Sequence, residues 1–164
     1  MAVRGSNAEI ALLLQVIDQA YDKKAWHGPS LKSTIRRLSA AEAAWRPNAQ
    51  RHSIAEIVLH AAYWKYSVRR RLRGGLRGSF PVKGSNWFPL ELPLAERTWR
   101  EYLALLDSEH GMLREAIVQL PPSRLHTIPA GSKVTYAVLI YGVAHHDVYH
   151  AGQIQLLKRL QAVT

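Results

Sequence analysis

The chain contains no cysteine. Neither a disulfide framework nor a thiolate zinc site can form, any metal must be held by nitrogen and oxygen, and the protein has no nucleophilic thiol of its own. No apolar run is long enough to cross a bilayer. The opening residues, Met-Ala-Val-Arg-Gly-Ser-Asn-Ala-Glu, lack the apolar centre of a signal peptide, so the expectation is a cytoplasmic protein without membrane association. No segment alternates polar and apolar residues as a half-buried strand would, and there is neither an internal repeat nor a low-complexity tract. Acidic residues are few: 12 Asp plus Glu stand against 22 Lys plus Arg, a formal net charge of +10 that favours anionic partners. The densest basic cluster, Arg69, Arg70, Arg71, Arg73 and Arg77, falls where a predicted helix ends. Cations there complement the helix dipole, so a solvated helix end accounts for the cluster, with a nucleic-acid surface as the alternative.

What the sequence does contain is helical periodicity. At 164 residues it fits a single domain, 1–164, able to bury a substantial core. A first helix is expected from Ser6, with Glu9 completing a capping box and Ile10, Leu13, Leu14, Ile17 and Tyr21 forming its apolar face. His27-Gly28-Pro29 breaks it. Short helical pieces follow, one from Ser30 through Leu31, Ile35 and Leu38 and one from Ser39 to Glu42, ending at Trp45-Arg46-Pro47. Ser53-Ile-Ala-Glu56 is a second capping box, opening a helix to about Gly74 with the stripe Ile57, Ala61, Trp64, Val68 and Leu72. Residues 74–92, rich in glycine and proline, form a long loop; its Phe80, Trp87 and Phe88 either cover a pocket or seal the end of the core. The spacing predicts a third long helix from near Pro93 to Leu120, with His110 near its buried face, and a fourth from about Lys133 to Ala162. Four long amphipathic helices argue for a four-helix bundle with short extra helices between the first two.

The last helix carries imidazoles on its inner side. Leu139, Val143, His146, His150, Ile154 and Leu157 step by three and four, so two histidines interrupt an otherwise apolar stripe. A spacing of four puts both rings on one face, where their nitrogens can converge on one ion; the alternative is a pair of core histidines hydrogen-bonded to carbonyls or carboxylates. His60 points from the second long helix toward the same interior, so three imidazoles can meet there and leave coordination positions open. His146-Asp147-Val-Tyr-His150 departs from the His-Glu-x-x-His motif of zinc proteases. Asp is one methylene short of Glu, and the 14 residues after His150 include no further His, Asp or Glu. His145 turns about 100 degrees away from His146. His52 and His126 read as exposed, His27 lies in a loop that could close one end of the bundle, and Tyr149 and Gln153 could orient ligands, contact substrate or simply pack.

Trp45-Arg-Pro47, Ser53-Ile-Ala-Glu56-Ile-Val-Leu-His60 with Trp64 following, and above all His146-Asp-Val-Tyr-His150-Ala-Gly152-Gln153-Ile154 resemble the DinB/YfiT-like superfamily over nearly the whole chain. The resemblance implies a bundle in up-down-down-up order with one divalent metal (zinc, nickel or iron) held by His60, His146 and His150. His27, Trp64, Trp87, His110, Tyr149 and Gln153 are then residues that could support those ligands or line the pocket. Relatives include thiol-dependent enzymes, which implies a metal-dependent thiol S-transferase or related isomerase with a low-molecular-weight thiol and an electrophilic small molecule as substrates. A metal-stabilised bundle without catalysis and a basic binding module are the alternatives. A homodimer paired through a helix face is expected, since two-fold symmetry uses one patch twice.

Overall fold

The computed structural model describes residues 7–75 and 78–163, so the proposed cap at Ser6 and the basic residue Arg77 lie outside the described residues. In order, the helices are α1 (Asn7–Tyr21), α2 (Leu31–Thr34), α3 (Ala40–Ala44), α4 (Ile54–Leu72), α5 (Glu96–Val118) and α6 (Tyr136–Gln161), with a 3-10 turn at Pro122–Arg124 between the last two. No strand occurs among the described residues. The chain is an all-α bundle of four long helices, with α2 and α3 inserted between the first two.

Local chemistry sets several of these boundaries. The Ser53 hydroxyl accepts from the Glu56 amide while the Glu56 carboxylate accepts from the Ser53 amide at 2.7 Å, so α4 starts at Ile54. The same reciprocal pair, Ser39 with Glu42, starts α3. Helix α2 stops short of the expected Leu38; Arg37 lies in the left-handed region at φ 64°, which turns the chain. Helix α5 begins three residues beyond Pro93, and α6 begins at Tyr136 because the Thr135 hydroxyl caps the Val138 amide. That cap lacks the glutamate of a capping box, so it left no paired signature in the sequence.

Around the bundle each long helix touches two others: α4 lies against α5 and α6, and α1 against the same two from the opposite side. The apolar core divides into two clusters. One gathers Ile54, Val58, Ala61, Trp99, Leu106, Ile154 and Leu157 with α2 and α3; the other gathers Ile10, Ile17, Val68, Leu113, Ile117, Ile140 and Val143. Helices α4 and α5 therefore run from the first cluster to the second, and α1 and α6 from the second to the first.

A polar layer lies between the clusters. Lys65, wholly buried on α4, donates to Asp147 on α6, whose side chain is 1 % exposed. The Lys65 ammonium also sits over the Tyr21 ring, 4.8 Å from its centroid. Tyr21 stacks on His110 at 3.8 Å and donates its hydroxyl to Asp107. The expected α4 stripe holds at Ile57, Ala61, Val68 and Leu72 and departs at one position: Lys65 takes the interior and Trp64 moves to the rim, 36 % exposed. A lysine is tolerated there because Asp147 answers its charge.

Candidate metal centre

The capping box that opens α4 sets the position of His60, two turns further along the buried face. Helix α6 brings His146 and His150 to the same place from across the bundle. Their three Nε2 atoms converge: His146 Nε2 lies 3.0 Å from His60 Nε2 and 3.0 Å from His150 Nε2. Among the described residues, this is the group of three or more potential ligand side chains close enough together to share an ion.

The outward-facing nitrogens decide what those Nε2 atoms can be. His60 Nδ1 lies 2.8 Å from the backbone carbonyl of Asn86, an acceptor only, so Nδ1 carries the proton and Nε2 a bare lone pair. His150 Nδ1 lies 2.6 Å from Gln153 Oε1, and the Gln153 amide nitrogen donates to the Tyr149 hydroxyl at 3.1 Å, which orients the carboxamide. His150 Nε2 is therefore also bare. A single Nε2 proton on His146 satisfies one of the two 3.0 Å contacts and leaves lone pair facing lone pair in the other. A cation among them satisfies both. Tetrahedral zinc, with bonds of about 2.0–2.1 Å, holds its ligand nitrogens roughly 3.3 Å apart, close to the separations here. The residues present fit a metal.

Burial also keeps the cluster unprotonated. The pKa of His146 is pushed down to about 3, first by burial and then by His150, His60 and Lys65. That of His150 falls to about 4 through burial, with the Gln153 hydrogen bond opposing. His60 is lowered as well, burial outweighing its bond to Asn86. All three rings are neutral at pH 7, the form that binds metal. Three neutral ligands leave a divalent ion its full charge and positions open to solvent or substrate.

A cavity of about 760 Å³ reaches the histidines; its walls include Ile57, Trp87, Tyr149, Gln153, Leu156 and Leu157. Trp87 is sandwiched between His60 (3.9 Å, 6° between planes) and His52 (3.6 Å, 4°). The loop thus does deliver an aromatic wall, while Phe88 buries itself against Tyr63. Trp64 stands beside the cluster, its ring 6.3 Å from His60 and 6.1 Å from His146, and its indole nitrogen donates to Asn86 Oδ1 at 3.0 Å.

Not every candidate reaches this place. His110 faces Tyr21 in the polar layer, and His27 is exposed in the loop after α1; neither lines the cavity. The heptad-like spacing of α5 showed that His110 is buried without showing which neighbour it faces. Asp147 turns away from the ligands to Lys65, unlike the glutamate of a zinc protease. His145 is on the outer face of α6 and His126 lies 3.0 Å from Glu9. The arginine cluster is engaged locally: Arg69 is bidentate to Glu109, Arg71 donates to the Ser67 hydroxyl, and Arg73 is 3.6 Å from Glu115. None of Arg69, Arg70, Arg71 or Arg73 lines the cavity, whereas Arg51 does.

Three contributors had little sequence signal. Asn86, at φ 63°, sits in a glycine-rich loop where many residues read as turn formers. His52 and Arg51 precede the α4 capping box, His52 reading as exposed and Arg51 belonging to no motif; the stacking of His52 on Trp87 is a long-range contact that periodicity does not encode.

The DinB superfamily model matches residues 25–154, the greater part of the chain and all three histidines. No curated protein and no solved structure matches.

Proposed function

The chain belongs to the DinB superfamily, and on that premise we propose that it is a divalent-metal-dependent thiol S-transferase or a related thiol-dependent isomerase. The observation that carries the reading is the convergence of three Nε2 atoms, two of which, on His60 and His150, are left bare because Asn86 and Gln153 hold the ring protons on Nδ1. His60, His146 and His150 are the ligands, and zinc, nickel or iron suits three imidazoles. The ion, when bound, supplies a positive centre that favours a thiolate over a thiol.

The chain's own side chains do the rest. Trp87, Leu156 and Leu157 give the cavity apolar walls that hold an organic substrate and limit water around the sulfur. Tyr149 presents a hydroxyl at the same wall. In the reaction the thiol loses its proton to solvent, a carbon–sulfur bond forms at the electrophile, and the bond to the leaving group breaks with its electron pair. With no cysteine in the chain, the thiol is a co-substrate. A cytoplasmic setting keeps such thiols reduced. We also propose a homodimer through α6, between whose Tyr136 and Leu157 the only formally charged side chain is the buried Asp147.

The test is a screen of glutathione, mycothiol, bacillithiol and coenzyme A against alkyl, epoxide and maleyl electrophiles. Turnover above free metal, abolished in His60→Ala, is the expected result. No turnover with any pair, together with an unperturbed visible spectrum of cobalt-loaded protein on adding each thiol, would refute the assignment.

A further inference from the structure

The cavity that reaches the histidines has an uneven charge. Among the described residues no carboxylate lines it, and its one permanently charged wall residue is Arg51. Some basic side chains elsewhere are answered by an acid, among them Arg46 by Glu56, Lys65 by Asp147 and Arg69 by Glu109, and others carry no ion pair among the described residues; Arg51 differs from all of them in lining the cavity. Arg51 has no such partner among the described residues. The acid nearest in sequence, Glu56, is already spent on Arg46 at 2.7 Å, the Ser53 amide at 2.7 Å and His52 at 3.5 Å.

The backbone that carries Arg51 is held beside the cavity by its neighbour: His52, the next residue, lies flat on Trp87, and Trp87 lies flat on His60, while Arg51 itself is exposed and lines the cavity. The Arg51 amide donates to the Asn48 carbonyl at 3.2 Å, and the Gln50 amide to the Asn48 side chain at 3.0 Å, which fixes the turn that carries it. The cavity's apolar lining is Ile57, Leu156 and Leu157 together with the Trp87 indole, beside the uncharged polar groups of Asn48, Gln50, Tyr149 and Gln153.

We propose that Arg51 is the specificity-determining residue of this cavity and that the ligand it selects is an organic acid: a carboxylate at Arg51, an apolar body along Ile57, Leu156 and Leu157, and a metal-seeking donor at the histidines. A guanidinium matches a carboxylate bidentately, and an uncharged tail would leave the cavity's positive potential unanswered. This rests on the thiol reading above only for the identity of the donor as sulfur.

Calorimetric and spectroscopic titration of cobalt-loaded protein with 3-mercaptopropionate, 6-mercaptohexanoate, 6-mercaptohexanol and hexanoate separates the two ideas. An exposed arginine-carboxylate pair contributes modestly, so the wild type should bind one of the mercapto acids about three- to tenfold more tightly than the mercapto alcohol. Arg51→Gln should reduce that preference below twofold and Arg51→Lys should retain part of it, with thermal midpoints unchanged because residue 51 is on the surface. Equal binding of acid and alcohol by the wild type, or an undiminished preference in Arg51→Gln, overturns the role of Arg51 while leaving the thiol reading standing. Arg51-dependent binding of hexanoate with no thiol effect on the cobalt spectrum supports the anion site and overturns sulfur as the donor. No binding by any of the four overturns both.

Discussion

His60 on α4 donates its Nδ1 proton to the backbone carbonyl of Asn86, 2.8 Å away in a loop 26 residues downstream. The same Asn86 accepts the Trp64 indole proton on its side chain, and its φ of 63° aims the carbonyl at the imidazole. A backbone group is thus what fixes the His60 tautomer, and substitutions at 86 act through conformation. Asn86→Gly keeps the left-handed backbone and should hold metal affinity within about threefold. Asn86→Val, which resists that conformation, should weaken it by about 10- to 100-fold, the range for loss of a group that orients a ligand. Competition with a chelator measures both; equal affinities for the two variants would show that the carbonyl is not what orients His60.

Metal analysis addresses the ligand set itself. The purified protein should carry about one divalent ion per chain, and His60→Ala, His146→Ala and His150→Ala should each lose it, because two imidazoles hold an ion far less well than three. His145→Ala is the internal control: its ring is on the outer face of α6, 5.8 Å from Tyr141, and most of the metal should remain. Near-full content after replacing His146 or His150 would overturn the assignment.

The helices and the inward placement of the histidines were legible because both follow from local periodicity: capping boxes at Ser39 and Ser53 mark helix starts, and a spacing of four puts His146 and His150 on one face. What periodicity could not convey is partner identity across the bundle. His110 and Lys65 show the two ways this fails. His110 was visible as an inward residue, yet its neighbour Tyr21 is 89 positions away in sequence and stacks with it only after α1 docks on α5. Lys65 lies outside the α4 stripe that periodicity picks out, and its burial is explained only by Asp147 facing it from α6. The loop contributions of Asn86, Trp87 and Arg51 depend on backbone turns that pattern rules leave open.

The Lys65–Asp147 pair supports a prediction about stability. Removing the ammonium alone, Lys65→Met, leaves a buried carboxylate and should cost about 3–5 kcal/mol at neutral pH in chemical denaturation. Burial already raises the Asp147 pKa, the Lys65 charge opposing that rise, so loss of Lys65 should let the acid protonate and make the penalty smaller toward low pH. The double variant Lys65→Met with Asp147→Leu should recover most of the loss. A double variant no more stable than Lys65→Met would mean that the charges are not what couples the two positions.

Helix α6 presents exposed Tyr141 (40 %) and Leu156 (59 %) on a face free of exposed charge across 22 residues. Two chains of formal charge +10 repel at long range, so an uncharged helix face is the place where they can meet. Light scattering should give twice the 18.5 kDa chain mass at micromolar concentration, with association strengthened by salt as the repulsion is screened. Tyr141→Glu should yield monomer. A wild type that scatters only as a single chain would exclude the dimer.

His110 gives the acid limb of stability a definite sign. Its pKa is pushed down to about 2, chiefly by burial and then by Lys65 and Arg114. Asp18, at 3.8 Å, is beyond hydrogen-bond reach and is engaged by Arg114 at 2.9 Å, so it offers little to a proton on the ring. Because the unfolded imidazole titrates near 6.5, the unfolded chain binds the proton first as pH falls. Above that value the neutral ring costs no stability; between pH 6.5 and the low folded value the unfolded state gains the proton alone and stability drops, by up to about 3 kcal/mol at pH 4 for one such group. Urea midpoints at pH 7, 5.5 and 4 on metal-free protein should therefore fall less steeply for His110→Gln than for the wild type. The histidines of the metal centre contribute the same slope to both proteins and cancel in the comparison. Parallel pH profiles would show that His110 accepts a proton in the folded chain, and with it that Tyr21 does not enclose the ring as tightly as its stacking implies.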